Sequence, residues 1–465
     1  MKYKYDFVAI GGGSAGFNAA RVAAGHGLRV AVVDGARKLG GLCILKGCMP
    51  SKTLIYSAEV LHLAQRGADF GLRIPKAAAD MAAVHHRKMR IVGEFARYRV
   101  NQLKTGRFKL LRGTAHFLDP HTVELDDGRR ISSKTFLVST GSRVCTPPVP
   151  GLNKVPYWTS DDVLELKFRP KSVIVLGGGI VACELAQFLS RTGTRVCMIQ
   201  RSPHLLREHS EESSKVVRKA LEHEGIEILT DTKIVGVQSG HGRISVSFGR
   251  KRKIFRRTAD HLLNALGREP ETAGLSLKAA GVKTESNGRI LTNRWQQTST
   301  PNIYAAGDCC GPHEIVHIAI QQAELAARHA AREKGLKPIT DATLLSVVFT
   351  DPQLASIGWS EKQLKKRGVR YVSASYPFDD HGKAILMGAS HGFIKVLAER
   401  TGGRILGAEI VGKDAGELIH CFSTPVSMRA TVRDMHSAPW YHPTLSEIIT
   451  YPIEELVQKT RSGRR

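Results

Sequence analysis

Two sets of residues stand at spacings that could do chemistry. In "GGLCILKGCMPSK", Cys43 and Cys48 lie five positions apart within a glycine-punctuated, otherwise apolar run, and near the other end "YHPTLSE" supplies His442 and Glu447. Two cysteines this close could be metal ligands, incidental core thiols or a redox pair. A structural zinc would need two further ligands at ordinary spacing, and these do not accompany the pair. A histidine titrating near neutrality can take and return a proton, and thiol–disulfide exchange needs both a thiolate attacker and a proton for the leaving sulfur. Glu447 could orient that ring, but Thr444-x-x-Glu447 is also a capping-box pattern for a following helix.

The elements that must position these residues begin with a βαβ pattern. "FVAI" reads as a buried strand, "GGGSAG" as a glycine turn, "FNAARVAAGHG" as a small-residue helix and "LRVAVVDG" as a second strand. Gly11, Gly13 and Gly16 fit G-x-G-x-x-G: the first permits the tight turn, the second lets the backbone approach a pyrophosphate, and the third lets helix and strand pack closely. Asp34, at the end of the second strand, can accept bonds from a ribose hydroxyl.

The pattern recurs in "KSVIVLGGGIVACELAQFLSRTGTRVCMIQRS", with Gly177 and Gly179 and with Ala182 in the third slot. The 23-position interval from Gly11 to Asp34, counted from Gly177, ends on Gln200, followed by Arg201. A carboxylate there would repel a 2′-phosphate, whereas arginine binds one through parallel hydrogen bonds. With Arg207 as a second cation, the residues predict an NADPH pocket, with NADH as the alternative; on the bland reading both arginines only decorate the surface.

Between these copies, "TFLVSTGS" reads as a strand running into glycine, and the proline-rich "GSRVCTPPVPGLNKVPYW" as a linker. "HLLNALGREP" repeats the strand-to-glycine pattern, and "NIYAAGDCCG" reads as a strand ending on Asp308, where ligands of α/β sheets collect. Asp308 could instead cap the helix expected in "IVHIAIQQAELAARHAAREKG". From about residue 340, segments such as "GFIKVLAE" and "RILGAEIVG" change to an α+β texture. The expected fold is α/β: two Rossmann-like dinucleotide-binding domains, the first discontinuous (1–150 and 270–339, around 151–269), plus an α+β domain over 340–465.

Composition fits a globular chain. The 465 residues exceed one ordinary core, and no apolar run approaches the ~20 residues that span a bilayer. "MKYKYDFVAIGGG" has neither the length nor the cleavage site of a signal peptide, so a cytoplasmic location is expected, where eight scattered cysteines do not imply a disulfide framework. The net charge of +26 favours acidic partners. Its sharpest cluster, "GRKRKIFRR", reads as a solvated hairpin tip; nucleic-acid binding is not expected without a reader motif.

Taken in order, "GGGSAG", "GGLCILKGCMPSK", "STGS", "GGGIVACE", "ALGREP", "YAAGDC", "FTDPQLASIG" and "HPTLSE" resemble the class I flavoprotein pyridine nucleotide–disulfide oxidoreductases over nearly the whole length. That family includes lipoamide dehydrogenase, glutathione reductase and mercuric reductase. The resemblance implies FAD on the first copy, held by Gly11, Gly13, Gly16, Asp34, Thr140, Gly141 and Asp308. It implies NAD(P)H on the second, held by Gly177, Gly179, Ala182, Arg201, Arg207 and Gly267, and a homodimer built through the last domain. It implies that Cys43 and Cys48 form a redox disulfide, with Cys48 facing the flavin and Cys43 exchanging with substrate. A regular helix would hold residues five apart roughly 8–9 Å from each other, beyond disulfide reach, and Gly47 would help the chain depart from it.

The resemblance further places Lys52 beside the flavin, paired with Glu184, and assigns His442–Glu447 as an acid–base dyad acting across the dimer. Ile180 stands where a nicotinamide-gating tyrosine often sits in the family. Mercuric reductases carry a C-terminal cysteine pair, whereas this sequence ends "KTRSGRR", and they lack the "HPT" histidine kept here. Cys309–Cys310 is expected to be buried beside Asp308. The expected function is NAD(P)H:disulfide oxidoreduction of a dihydrolipoamide dehydrogenase type, on a small-molecule, lipoyl or protein disulfide. The alternatives are a mercuric-reductase-like metal-ion reductase and a basic, non-catalytic flavoprotein that binds an acidic macromolecule.

Overall fold

A computed structural model describes residues 3–461; the last four residues of "KTRSGRR" lie outside the described residues. The chain divides into two compact units. The first gathers the chain up to Thr53, Ala83–Thr146 and Gly267–Ile339; the second gathers Leu54–Ala82, Pro147–Leu266 and Thr340 onward.

The first unit is built on a seven-stranded sheet. Tyr5–Ile10 pairs in parallel with Val30–Asp34 on one side and Arg130–Val138 on the other, with Val8 beside both Ala31 and Phe136. Lys109–Arg112 extends the sheet beyond Val30–Asp34, and Ile303–Ala305 pairs with Arg130–Val138. Tyr5–Ile10 and Val30–Asp34 are almost wholly buried, the near-continuous apolar pattern of parallel strands covered on both faces. The strand order reverses at Tyr5–Ile10, so a crevice opens at the carboxyl ends of Tyr5–Ile10 and Arg130–Val138, where such sheets bind ligands. Helix Ser14–Gly25 meets Val316–Ala330 through Ala19, Ala20 and Ala23 and Ala323, Ala326 and Ala327, small enough to bring two helices close. The strand that reaches toward Asp308 stops at Ala305, short of the expected end.

The second unit carries a four-stranded parallel sheet, ordered Glu227–Leu229, Arg195–Ile199, Ser172–Leu176 and His261–Asn264. A three-stranded antiparallel sheet of Lys233–Gly240, Arg243–Arg250 and Lys253–Ala259 follows, and the basic "GRKRK" run turns at its tip as expected. Residues from 345 onward form a five-stranded antiparallel sheet, centred on Gln353–Gly358, Ile405–Gly412 and Phe393–Glu399. Its apolar face packs on Ile419, Phe422, Ile449, Ile453 and Leu456.

Helix Ile180–Arg191 ties these parts together. Glu184, Gln187 and Arg191 share one helix face by their spacing of three and four, and all bond the segment Phe349–Asp351. The Glu184 carboxylate accepts from the Phe349 N–H at 2.9 Å, and buried Arg191 donates to Asp351 at 2.8 Å and Glu224 at 2.7 Å. The "VACE" and "FTDP" motifs are thus two sides of one contact.

Candidate active site

Cys43 lies in the short helix Gly41–Leu45, and Cys48 opens the long helix Cys48–Gln65. Between them Lys46, at φ −142°, breaks the helical path. A Cβ on Gly47 would stand 3.1 Å from the Leu42 carbonyl oxygen and 3.2 Å from Cys43 Cα, so glycine lets the chain pass back over Cys43. The break brings the two sulfurs together as thiols, and Cys48 acts as a hydrogen-bonding partner of Cys43. That bond, followed by burial, pushes the Cys43 thiol well above its ordinary value, while the charge of Arg99 pulls the other way.

No pattern in the sequence singles out Arg99, one of several cations on helix Met81–Thr105. Its guanidinium lies 4.3 Å from the centre of the Phe17 ring, and its Nε and Nη1 are buried without hydrogen-bond partners.

The first glycine turn fits a dinucleotide. Gly11 has φ +102°, and a Cβ there would strike the Ser139 carbonyl oxygen at 2.4 Å; a Cβ on Gly16 would come within 1.9 Å of the Gly11 oxygen. Helix Ser14–Gly25 begins at Gly13 with no side-chain cap and no acid in its first turn, leaving N–H groups and the positive dipole end for a phosphate. Asp34 accepts from the N–H groups of Gly12 and Ala36, each at 2.8 Å, and so braces the turn. Opposite, Thr140 Oγ1 is buried without a partner, beside Gly141 at φ +75°. These residues fit FAD: an uncapped helix start for the pyrophosphate and an orphaned hydroxyl in the crevice. Asp308 accepts from Ser142 Oγ at 2.6 Å, and Arg268 donates to the same Ser142 oxygen at 2.8 Å. Asp308 does not cap the following helix, whose N-cap is Ile315. Cys309 and Cys310 are 0% and 5% exposed, within the apolar core of the first unit.

The second turn repeats this plan. Gly177 has φ +118°, with a Cβ excluded by the Ala265 oxygen at 2.4 Å; Gly179 is open, Ala182 is fully buried, and helix Ile180–Arg191 again starts uncapped. Gly267, at φ +123°, accepts through its carbonyl from the Cys145 N–H. Ile180 is exposed at the head of the helix. Gln200 turns its side-chain oxygen to the Arg201 N–H at 3.1 Å. Arg201 lines an open cleft of about 460 Å³ together with Lys233, Arg250, Lys251, Arg252 and Lys253. Arg207 is not among those lining residues and bonds Glu208 at 3.0 Å.

In the second unit, His442 Nδ1 meets both Glu447 carboxylate oxygens at 2.9 Å. Thr444 is the N-cap of Leu445–Ile449 but makes no capping bond through its side chain, so Glu447 serves the histidine rather than a capping box. The His442 side chain is 76% exposed while Glu447 is largely covered, an arrangement that presents a held ring to whatever approaches. Buried His381 lies close enough for Glu447 and His442 to act on it, and burial lowers its basicity. Lys52, on helix Cys48–Gln65, belongs to the first unit, and Glu184 to the second.

Comparison with known proteins decides the family. Residues 5–323 match the pyridine nucleotide-disulphide oxidoreductase model, and residues 344–452 match that family's dimerisation domain. The chain belongs to this family. It is similar to a dihydrolipoyl dehydrogenase of Thermus scotoductus, 34% identical over 462 residues covering 97% of each chain. It is 35% identical to a mercuric reductase of Lysinibacillus sphaericus over 435 residues, 93% of this chain and 79% of the relative. The solved LpdA of Mycobacterium tuberculosis superposes with a TM-score of 0.88 at 25% identity, covering 97% of this chain and 99% of that one. The fold is therefore that of the disulfide oxidoreductases, the chain is an oxidoreductase of a family that binds FAD and NAD(P)H, and its dimerisation domain supports a homodimer. Among the described residues no helix is long and apolar enough to cross a membrane.

Proposed function

We propose that this protein passes electrons between NADPH and a disulfide through Cys43 and Cys48, in the manner of a dihydrolipoamide dehydrogenase. The observation that carries the reading is the helix break that sets Cys43 against Cys48 as bonded thiols at the head of a long helix. The same reading assigns 1–150 and 270–339 to FAD, 151–269 to the coenzyme and 340–465 to dimerisation. Bound FAD would supply two-electron exchange with the nicotinamide on one side and the dithiol on the other. The N–H groups after Gly13, Asp34, Thr140, Gly141 and Asp308 would hold it, with Lys52 nearby.

The exchange itself falls to side chains of this chain. Cys43, as thiolate, attacks one sulfur of the substrate disulfide; that bond breaks and the leaving sulfur takes a proton. His442, held through Nδ1 by Glu447, supplies it, acting on Cys43 of the other subunit. Cys48 then attacks Cys43 in the mixed disulfide and releases the second thiol, leaving Cys43–Cys48 oxidised by two electrons. Gln200 in the register of Asp34, with Arg201 in a basic cleft, supports preference for NADPH. The +26 charge supports an acidic protein as carrier of the disulfide in the cytoplasm.

The 35% identity to a mercuric reductase favours Hg(II) as a second substrate class, against which the deep burial of Cys309 and Cys310 argues. A turnover screen of the flavin-loaded protein with each coenzyme against lipoamide, glutathione disulfide, coenzyme A disulfide and Hg(II) tests the reading. Turnover of a disulfide at a rate above Hg(II) supports it; turnover of Hg(II) alone, or of nothing, overturns it.

A further inference from the structure

Arg99, in the first unit, has a role that the exchange between Cys43, Cys48 and His442 leaves unexplained. Nε and Nη1 of its guanidinium are sealed from solvent and bond nothing. Buried polar groups are ordinarily hydrogen-bonded, and a buried charge without a partner is costlier still. Buried Arg191, by contrast, meets two carboxylates, and among the arginines with a buried nitrogen left unpartnered, Arg99 has two such atoms.

Its position narrows the choice of partner. The Arg99 guanidinium lies over the ring of Phe17, whose N–H bonds the Gly13 oxygen and which therefore sits one helical turn beyond the start of Ser14–Gly25. A flavin pyrophosphate is already provided for by the free N–H groups of the first turn. Gly41 packs directly on Gly13, and Cys43 follows two residues later in the same short helix, so the guanidinium and the Cys43 sulfur flank the same stretch of helix. Consistent with this, the Arg99 charge acts on Cys43. Phe17 lies against the guanidinium, and Nη2, which is not among its sealed atoms, is left for an anion arriving beside the sulfur.

We propose that Arg99 selects the substrate: it takes a carboxylate of the disulfide that exchanges with Cys43, so the preferred substrate is an acidic disulfide rather than a neutral one. This rests on Cys43 being the exchanging thiol. A guanidinium suits a carboxylate, and a charge-assisted bond discriminates against the amide of the same shape.

Lipoate and lipoamide, which share a ring disulfide and differ in carboxylate against amide, are the probes. Wild type is expected to have the lower KM for lipoate. Arg99→Gln should raise the KM ratio of lipoate to lipoamide by about tenfold or more, with the effect in KM rather than kcat, and Arg99→Lys should restore part of it. A second measurement needs no turnover: in the reduced protein, Cys43 displaces iodide from iodoacetate or iodoacetamide, and mass spectrometry counts the product at Cys43. Arg99→Gln should lower the iodoacetate-to-iodoacetamide rate ratio by a similar factor.

Unchanged ratios in both assays overturn the proposal. Loss of FAD with an unchanged alkylation ratio also overturns it and gives the guanidinium to the flavin phosphate. Equal slowing of both reagents with a displaced pH profile overturns it in favour of a role confined to the Cys43 thiolate. If wild type turns over neither lipoate nor lipoamide, the disulfide reading suffers while the alkylation ratio still decides the role of Arg99.

Discussion

At Gly12 an added Cβ would meet the Asp34 carboxylate at 2.8 Å; at Gly178, in the second copy of the same turn, it would meet the Gln200 side chain at 2.9 Å. The backbone plan is shared: the Gly11 N–H bonds Val33 and the Gly177 N–H bonds Ile199, and each turn is closed by a neighbouring carbonyl that excludes a side chain. The chemistry facing the plan is opposite. In the first unit a carboxylate braces the turn by accepting from Gly12 and Ala36, so negative charge stands where a ribose would lie. In the second, a neutral amide folds onto its own backbone, and Arg201 opens into a cleft lined by four cations of the hairpin tip and Lys233. One glycine scaffold thus recurs in two chemical settings, and on the proposed function the residue in the register of Asp34 sets which dinucleotide each copy prefers.

The largest test of this contrast separates the half-reactions of the two units. We expect His442→Ala to slow disulfide turnover by about 10²–10⁴-fold, the usual range for acid–base catalysis, while reduction of the bound flavin by coenzyme proceeds almost unchanged. Rapid-mixing measurement of each half separately checks it; normal turnover would make His442 structural.

The coenzyme preference is next. With a charge-assisted bond contributing roughly 1.5–3 kcal/mol, Arg201→Glu with Arg207→Ala should reverse a tenfold to several-hundredfold preference for NADPH over NADH. Because Arg207 already bonds Glu208 and lies off the cleft, Arg201→Glu alone should account for most of the change. Steady-state KM values with both coenzymes decide it, and a wild type that prefers NADH would reduce both arginines to surface charge.

The third glycine slot distinguishes the copies sterically. Gly16→Ala places a Cβ 1.9 Å from the Gly11 oxygen, so the helix must move; we expect a loss of about 1–3 kcal/mol or more and weakened FAD retention. The reciprocal Ala182→Gly should cost only about 1 kcal/mol, the helix penalty of glycine. Thermal unfolding and flavin content of the two variants settle it, and equal effects would mean the two turns pack alike after all.

The smallest effect concerns protons. Since the hydrogen bond that Cys43 donates to the Cys48 sulfur is the main cause holding the Cys43 proton, Cys48→Ala should move the pH midpoint of Cys43 alkylation downward. Arg99, left in place, favours the thiolate in the same direction. A midpoint that stays or rises would show that Cys48 does not hold that proton.

Much of this architecture is legible from the chain because it rests on short-range order. A glycine turn between an apolar strand and a small-residue helix is encoded within some twenty residues, and strand length makes the count to Asp34 and Gln200 reliable. The hairpin tip at Lys251–Arg252 is local for the same reason. Boundaries that depend on pairing partners are less legible: "NIYAAGDCCG" looks like strand up to Asp308, but Ile303–Ala305 pairs only as far as Val138 does.

What the sequence determined by itself is therefore the fold class, the two dinucleotide turns and the opposite charges beside them, all set by residue type and spacing along a continuous segment. The tertiary structure decided which of several open roles each side chain takes. Glu447 had a cap and a histidine within reach, and the chain path chose the histidine. Asp308 could cap a helix, and Ser142, brought from a distant strand, took it instead. Arg99 is one arginine among several on its helix until packing seals it against Phe17. Such choices depend on burial and on partners far away in sequence, since a polar group removed from water must bond whatever the fold brings beside it.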